Sequence, residues 1–430
     1  MPVAPIRLGA GWSKIAPMKR TVLAGFTAAM LAFGAINSAA AGNAVPFEPS
    51  HVTGQILVKF RDAGAAAGVL RRHGLADGPG IGSTGAHLIT VPAGKELQFI
   101  EVLSRNPTVE YAEPDEVVTA ATADQYFDRQ YALQNTGQAF TNTKGDIQIS
   151  AGKPDADVDA VEAWSVATGS GIKVAVLDSG VANDNPDINP KVVARANFTN
   201  GETGDDNYGH GTHVAGIVAA SHNTVGVAGT CPGCTILDGK VLNDSGIGSS
   251  SSLASGINWA VSNGAKVINM SLGVRASRTL ETAVNNAWSQ GVVLVAAAGN
   301  GGNQTKIYPG AYPNVIAVAA TDNNDAKASF STYGASWVDI AAPGVNVYST
   351  FPNHSFALQS QYNRSWGYDV GNGTSMSSPI VAATVALAWS VQPAAPNATI
   401  RLKVESSADA ISGTGTYWAN GRVNTNSAVR

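Results

Sequence analysis

The sequence predicts an α/β protein: a mostly parallel sheet with helices on both faces, preceded by a small α+β unit. Three observations carry this. From about residue 160 onward, short runs rich in β-branched residues recur between helical stretches, and such near-continuous apolar strands belong to sheets covered on both sides. Residues 50–120 repeat the alternation on a smaller scale. The chain has 430 residues, 44% hydrophobic and only 13% charged, with 47 glycines, the composition of a large core threaded by tight turns. That apolar content excludes a wholly disordered chain. A net charge of −4 supplies no basic field, which argues against nucleic acid as a partner.

In chain order, residues 1–20 carry Arg7, Lys14, Lys19 and Arg20 and no acid. An apolar run from Val22 to Ile36 follows, and Ser38-Ala39-Ala40-Ala41 ends it. This is the pattern of an export leader cleaved after Ala41, with Met18 as an alternative start. The competing reading is an uncleaved anchor, but the run is short for a spanning helix. The small unit reads as strand 55–60, helix 63–73, strand 87–91, helix 96–105 and strand 109–114. That order fits a split βαβ, ferredoxin-like layout in which the strand before the second helix is hard to place. Small, polar residues from Val118 to Asp124 read as a linker. Strands then follow at 172–177, 266–270, 292–296 and 315–318, with helices at 212–220, 250–263, 278–290 and 376–391.

In parallel sheets ligands bind beyond the carboxyl ends of the strands, and residues of chemical interest cluster there. Strand 172–177 runs into Asp178-Ser179-Gly180. Tyr208-Gly209-His210-Gly211-Thr212-His213 opens a helical stretch, Gly371-Asn372-Gly373-Thr374-Ser375 opens another, and Ala296 to Asn300 ends a buried strand with an amide. Each alone is also what a turn or a helix cap would use. A metal reading of His210 and His213 lacks the glutamate of a His-Glu-x-x-His site. Together they supply what acyl transfer needs. A serine hydroxyl (Ser375) requires an imidazole (His210) to take its proton, the imidazole requires a carboxylate (Asp178), and the tetrahedral oxyanion requires fixed donors such as Asn300 and the Ser375 N–H. The chain order Asp…His…Ser is one of the known solutions to this geometry, and no Gly-x-Ser-x-Gly elbow is present.

Asp178-Ser179-Gly180-Val181, His210-Gly211-Thr212-His213-Val214-Ala215-Gly216 and Gly373-Thr374-Ser375-Met376-Ser377-Ser378-Pro379 resemble the three signatures of the subtilisin-like serine proteases. Ser329 to Gly334 and Ile411 to Trp418 look closest to the thermitase branch of that family. The resemblance spans about residues 124–430, and residues 50–120 look like the family's inhibitory propeptide. With the leader at 1–41, it implies a propeptide at 42–121 and a peptidase domain at 122–430. It further implies an extended substrate held between Gly246-Ile247-Gly248 and Ser271-Leu272-Gly273. Val274 stands where the family often has a second glycine, and Ile307 falls near the floor of the first pocket, so small or medium apolar P1 residues are expected to be cut better than aromatic ones.

The thermitase branch also implies one structural calcium ion. The matching positions are Asp124, Asp187, the Asn223 side chain and the backbone oxygens of Ala220, Val225 and Val227, which is hard-cation chemistry. A second site in the loop before His210 is not carried over, because Asn197 stands in place of an aspartate, which leaves Asp205 and Asp206 without an assigned role. Cys231 and Cys234 are the two cysteines; in an exported protein they read as a local disulfide, in preference to a redox pair. The expectation is a secreted serine endopeptidase, extracellular or periplasmic, monomeric, without a stable membrane anchor, and inhibited by its own propeptide. The rival readings are a silent binding module on the same fold and a hydrolase of other acyl bonds.

Overall fold

The computed structural model describes residues 51–116, 124–200 and 203–430. The expected leader at 1–41 and most of the linker, with the propeptide tail 117–121, lie outside the described residues. Those residues divide into two compact units, 51–116 and 124–430.

The first unit is a three-stranded antiparallel sheet in the order β2 (Ala86–Thr90), β1 (His51–Phe60), β3 (Val109–Glu116). Because β1 runs antiparallel to both neighbours, β2 and β3 are parallel to each other, and α2 (Glu96–Ser104) joins them around it. The strand that was hard to place is therefore the edge strand of a split βαβ with β1 in the slot. Helix α1 (Ala66–Arg72) links β1 to β2. Ile56 and Val58, two residues apart on β1, meet Leu70, Ile89 and Leu103 in a closed core.

The second unit opens with two-residue strands β4 (Phe140–Thr141) and β5 (Gln148–Ile149) and helix α3 (Ala160–Trp164). Its centre is a seven-stranded parallel sheet built from β6 (Lys173–Asp178), β7 (Val192–Asn197), β8 (Thr235–Lys240), β9 (Val267–Met270), β10 (Val293–Ala297), β11 (Val315–Thr321) and β12 (Ile340–Pro343). The spatial order is β12-β11-β10-β9-β6-β8-β7. From β6 the chain first builds β8 and β7 on one side, then crosses to β9 on the other. The C-terminal end of β6 therefore lies at the topological switch point, where ligand crevices form.

Alternate residues of each strand face opposite layers. Val174 and Val176 join the core under α4 (His210–Ala219) and α8 (Thr374–Val391), while Ala175 and Leu177 face α5 (Ser250–Ser262) and α6 (Arg278–Ser289). Each such fully buried valine or leucine side chain contributes about 1.5–3 kcal/mol. Helix α8 has the length and hydropathy of a membrane span, yet 83% of it is buried inside this unit. A hairpin of β13 (Val347–Thr350) and β14 (Tyr368–Gly371), with the short α7 (Ala357–Tyr362) between them, precedes α8; α9 (Asn397–Ser406) and α10 (Thr425–Val429) follow it.

Strand β8 escapes sequence reasoning because its second half is Asp238-Gly239-Lys240. Both charged residues are buried: Asp238 pairs with Arg195 at 2.6 Å, and Lys240 Nζ donates to Ser179 O at 2.6 Å and to Asp244 at 2.9 Å. Helix α4 crosses the end of β6 so closely that a Cβ on Gly211 would lie 2.1 Å from Gly180 O. Gly211→Ala is therefore expected to lower stability by about 1–3 kcal/mol, against alanine's helix-propensity gain of about 1 kcal/mol. Thermal unfolding checks this; an unchanged or higher midpoint would show that α4 can shift without cost.

Candidate active site

Asp178 is the last residue of β6 and is 1% exposed. Its Oδ1 accepts the Ser179 N–H at 2.8 Å and lies 2.7 Å from His210 Nδ1. His210 is the first residue of α4, two positions earlier than the sequence pattern suggested, and Gly209 before it adopts φ +97°. Burial of the imidazole disfavours its charge, but the Asp178 carboxylate outweighs this and raises its pKa above the ordinary histidine range. His213, one turn on, faces Asp369 O at 3.3 Å and packs 4.7 Å from Phe351; burial pushes its pKa down to about 3, so it is a neutral core residue.

The start of α4 is held by Asp206, whose carboxylate is fully buried. It accepts from Ser179 Oγ (2.8 Å), Gly209 N (2.8 Å), Thr212 N (2.8 Å), Thr212 Oγ1 (2.6 Å) and Tyr208 N (3.2 Å). Ser179 Oγ in turn accepts the Gly211 N–H at 2.9 Å. One carboxylate thus takes the Thr212 N–H and the N–H groups of Tyr208 and Gly209 just before the helix, and through Ser179 ties the helix start to the turn after Asp178. Sequence reasoning left this residue without a role. The available signal was a carboxylate four residues before a histidine that opens a helix.

Ser375 sits in the first turn of α8, after Gly373 at φ +144°. Its Oγ donates to Ser271 O at 3.2 Å, so the hydroxyl is turned toward the end of β9 and not toward His210. A buried chain of hydrogen bonds fixes this helix end: Ser378 Oγ to Asn269 Oδ1 (2.7 Å), Asn269 Nδ2 to Ser271 Oγ (3.0 Å) and Ser271 Oγ to Ser375 O (2.8 Å). Asn300 is oriented from the same turn. Thr374 N (2.9 Å) and Thr374 Oγ1 (3.0 Å) both donate to its Oδ1, which leaves the NH₂ as the group facing the cleft. Thr374, which sequence reasoning passed over, is the residue that sets the amide's direction.

Two cavities meet along Leu272-Gly273-Val274. The first, about 820 Å³, is lined by both Ser375 and Asn300. The second, about 370 Å³, is lined by His210, Gly246-Ile247-Gly248 and Ser271-Leu272-Gly273, so the two segments named from the sequence share one groove on the histidine side. A Cβ on Gly246 would lie 2.5 Å from the Tyr208 ring, and one on Gly248 2.3 Å from Val241 O. Ile307 occupies the first cavity between two glycines, 2.6 Å from where a Gly273 Cβ would stand and 3.0 Å from that of Gly299. Backbone bonds of 2.7 and 3.1 Å tie Val274 to Tyr308 and close that wall.

Away from this cleft, Asp124 and Asp187 grip one loop. Asp124 Oδ1 accepts from Asn223 N and Thr224 N, both at 2.7 Å; its buried Oδ2 has no hydrogen-bond partner, and His222 Nε2 lies 3.9 Å away. Asp187 accepts from Ser221 N (3.1 Å) and Val227 N (2.9 Å), and burial followed by the Asp124 charge pushes its pKa up to about 7. The Asn223 side chain accepts the Val225 N–H at 3.0 Å, and the Ala220 carbonyl accepts from Gly229 N at 2.9 Å with one lone pair left. Cys231 and Cys234 form a disulfide whose sulfurs cover Gly169, where a Cβ would come within 2.0 Å of Cys231 Sγ.

Residues 169–426 match the Subtilase family, and residues 37–115 match the Fervidolysin N-terminal prodomain. Thermitase of Thermoactinomyces vulgaris is 49% identical over 276 residues, covering 64% of this chain and 94% of that protein. A thermophilic serine proteinase of Bacillus sp. (strain AK1) is 39% identical over 390 residues, 88% of each chain. A solved protease of Pseudoalteromonas arctica PAMC 21717 superposes with a TM-score of 0.61 at 29% identity, covering 72% of this chain and 99% of that one. The chain belongs to the subtilase family of serine endopeptidases and carries a prodomain ahead of its peptidase unit.

Proposed function

We propose that this protease is made as a secreted preproenzyme, frees itself of its propeptide, and cleaves extended protein substrates through an acyl-enzyme. The observation that carries the reading is a pair of cavities joined along Leu272-Gly273-Val274, one bordered by Ser375 and Asn300 and the other by an imidazole held by Asp178 at 2.7 Å. Ser375 Oγ attacks the scissile carbonyl while His210 Nε2 takes its proton, and Asp178 keeps the Nδ1–H tautomer and stabilises the imidazolium. The oxyanion forms against Asn300 Nδ2 and the Ser375 N–H, a donor left free in the first turn of α8. His210 then protonates the departing amine, and water repeats the cycle on the ester. The Ser375–Ser271 bond is the resting state of the nucleophile; substrate entering along Ser271-Leu272-Gly273 competes for it, and the hydroxyl turns to His210. Because His210 must be neutral, activity rises with pH through its elevated pKa.

The propeptide, 42–121, acts as an intramolecular inhibitor until it is cut, and the peptidase runs from 122 to 430. The disulfide suits an oxidising compartment, outside the cytoplasm. Expression of wild type and Ser375→Ala, with intact mass and a fluorophosphonate label, tests the reading. Wild type should shorten to a start near 121–124 and label at Ser375, while Ser375→Ala keeps its propeptide. Identical maturation of both without labelling would favour the silent binding module.

The loop gripped by Asp124 and Asp187 fits a calcium ion. Two buried carboxylates grip it, one of their oxygens accepts no hydrogen bond, and one carboxyl resists ionising without a counter-charge. Asp124, Asp187, Asn223 and the carbonyls of Ala220, Val225 and Val227 would hold it, supplying stability and taking no part in catalysis. Calcium at about 100 times its Kd should stabilise the mature enzyme by about 2.7 kcal/mol over the chelated form. The gain should shrink as pH falls through 7, where Asp187 becomes protonated, and vanish in Asp187→Asn. A chelator-insensitive melting temperature would contradict the site.

Ile307 limits the depth of the first cavity, so small and medium P1 side chains should be cut faster than Phe or Tyr. Ile307→Gly should raise the Phe-to-Leu ratio of kcat/KM by about tenfold or more, the worth of a filled pocket position. A wild-type profile dominated by aromatic P1 residues would contradict this.

A further inference from the structure

The first cavity carries two charges of one sign. Arg275 and Lys306 line it, both exposed, and no lining residue is acidic. Neither takes part in an ion pair or side-chain hydrogen bond among the described residues. The second cavity, on the histidine side, has no charged lining residue besides His210 itself. In a chain of net charge −4, two unpartnered cations confined to one pocket are a local feature and not a reflection of composition. That pocket takes the side chain next to the scissile bond, because Ser375 and Asn300 both border it and must bracket the reacting carbonyl. Its inner wall is apolar and shortened by Ile307 beside Leu272 and Val274.

A side chain suited to such a space has a short apolar stem and an anionic head. We propose that Arg275 and Lys306 are specificity-determining residues that give this protease a preference for glutamate at P1 and exclude lysine and arginine. The inference rests on the protease reading above. The two methylenes of glutamate lie along Ile307 and Leu272, and its carboxylate stays in water near the guanidinium and ammonium groups. Because these cations remain solvated, each contributes as an exposed ion pair does, a factor of up to about five, and salt screens it. Glutamine has the same shape without the charge and is therefore the control.

The test is kcat/KM for otherwise identical peptide amides bearing Glu, Gln, Leu or Lys at P1, with active sites counted by fluorophosphonate. The expected result is a Glu/Gln ratio of about three or more at low salt, falling toward one at high salt, with Lys the poorest of the four. In the double variant Arg275→Gln, Lys306→Gln the ratio should fall to about one at low salt, the value screening gives in wild type. A wild-type ratio at or below one, a ratio indifferent to salt, or one unchanged by the double substitution each overturns the preference. The salt series needs no variant, so misfolding of the double mutant cannot rescue the claim. Peptides cut without regard to charge overturn the preference alone; a series in which none is cut overturns the protease reading and the preference with it.

Discussion

The close crossing of α4 over the end of β6 is the constraint on which the site depends. A histidine and an aspartate 32 residues apart in sequence can share a 2.7 Å hydrogen bond only if a helix terminus approaches a strand terminus at backbone contact. Gly211 permits the approach, since any side chain there would strike Gly180 O. Asp206 then holds it, collecting five donors from both sides of the crossing in a place without solvent. A buried carboxylate so fully satisfied is inexpensive to keep and costly to disturb, because removing it strands several donors at once. The imidazole that results is fixed in position and raised in pKa by the same neighbour that orients it.

The other half of the site is organised by α8. Its first turn brings Ser375 and Thr374 together, and Thr374 turns the Asn300 amide outward while Ser378, Asn269 and Ser271 anchor the backbone from behind. The two halves belong to different helices on the same face of one sheet, and β9 and its extension Ser271-Leu272-Gly273 run between them. That strand end is both the wall of two cavities and the present acceptor of the Ser375 hydroxyl. Substrate binding and nucleophile release are therefore coupled through a single carbonyl in the proposed mechanism.

Much of this was legible in the sequence where chemistry and conformation select the same residue. The glycines around His210 and before Ser375 announce close backbone approach, and β6, β9, β10 and β11 appear as apolar runs because both sheet faces are covered. What stayed hidden is polar and buried. Strand β8 ends in Asp238 and Lys240, which read as surface until Arg195, Ser179 O and Asp244 are seen to neutralise them. Asp206 reads as one of several acids in a loop, since nothing in one dimension shows that five donors converge on it. The cationic pair Arg275 and Lys306 is equally invisible, 31 residues apart in sequence and brought to one pocket by the Val274–Tyr308 bridge. Hydrophobic periodicity locates elements; it carries no information about which polar groups those elements bring face to face.

The central claim is that Asp178, His210, Ser375 and Asn300 act on one reacting carbon. A crystal structure of the mature enzyme with a peptidyl boronate, a stable mimic of the tetrahedral adduct, tests it directly. The account predicts a bond from boron to Ser375 Oγ, one boronate oxygen about 2.7–3.1 Å from both Asn300 Nδ2 and the Ser375 N–H, and the adjoining side chain in the cavity bordered by Ile307. An adduct on another residue, or one whose oxygen faces solvent away from Asn300, would contradict it.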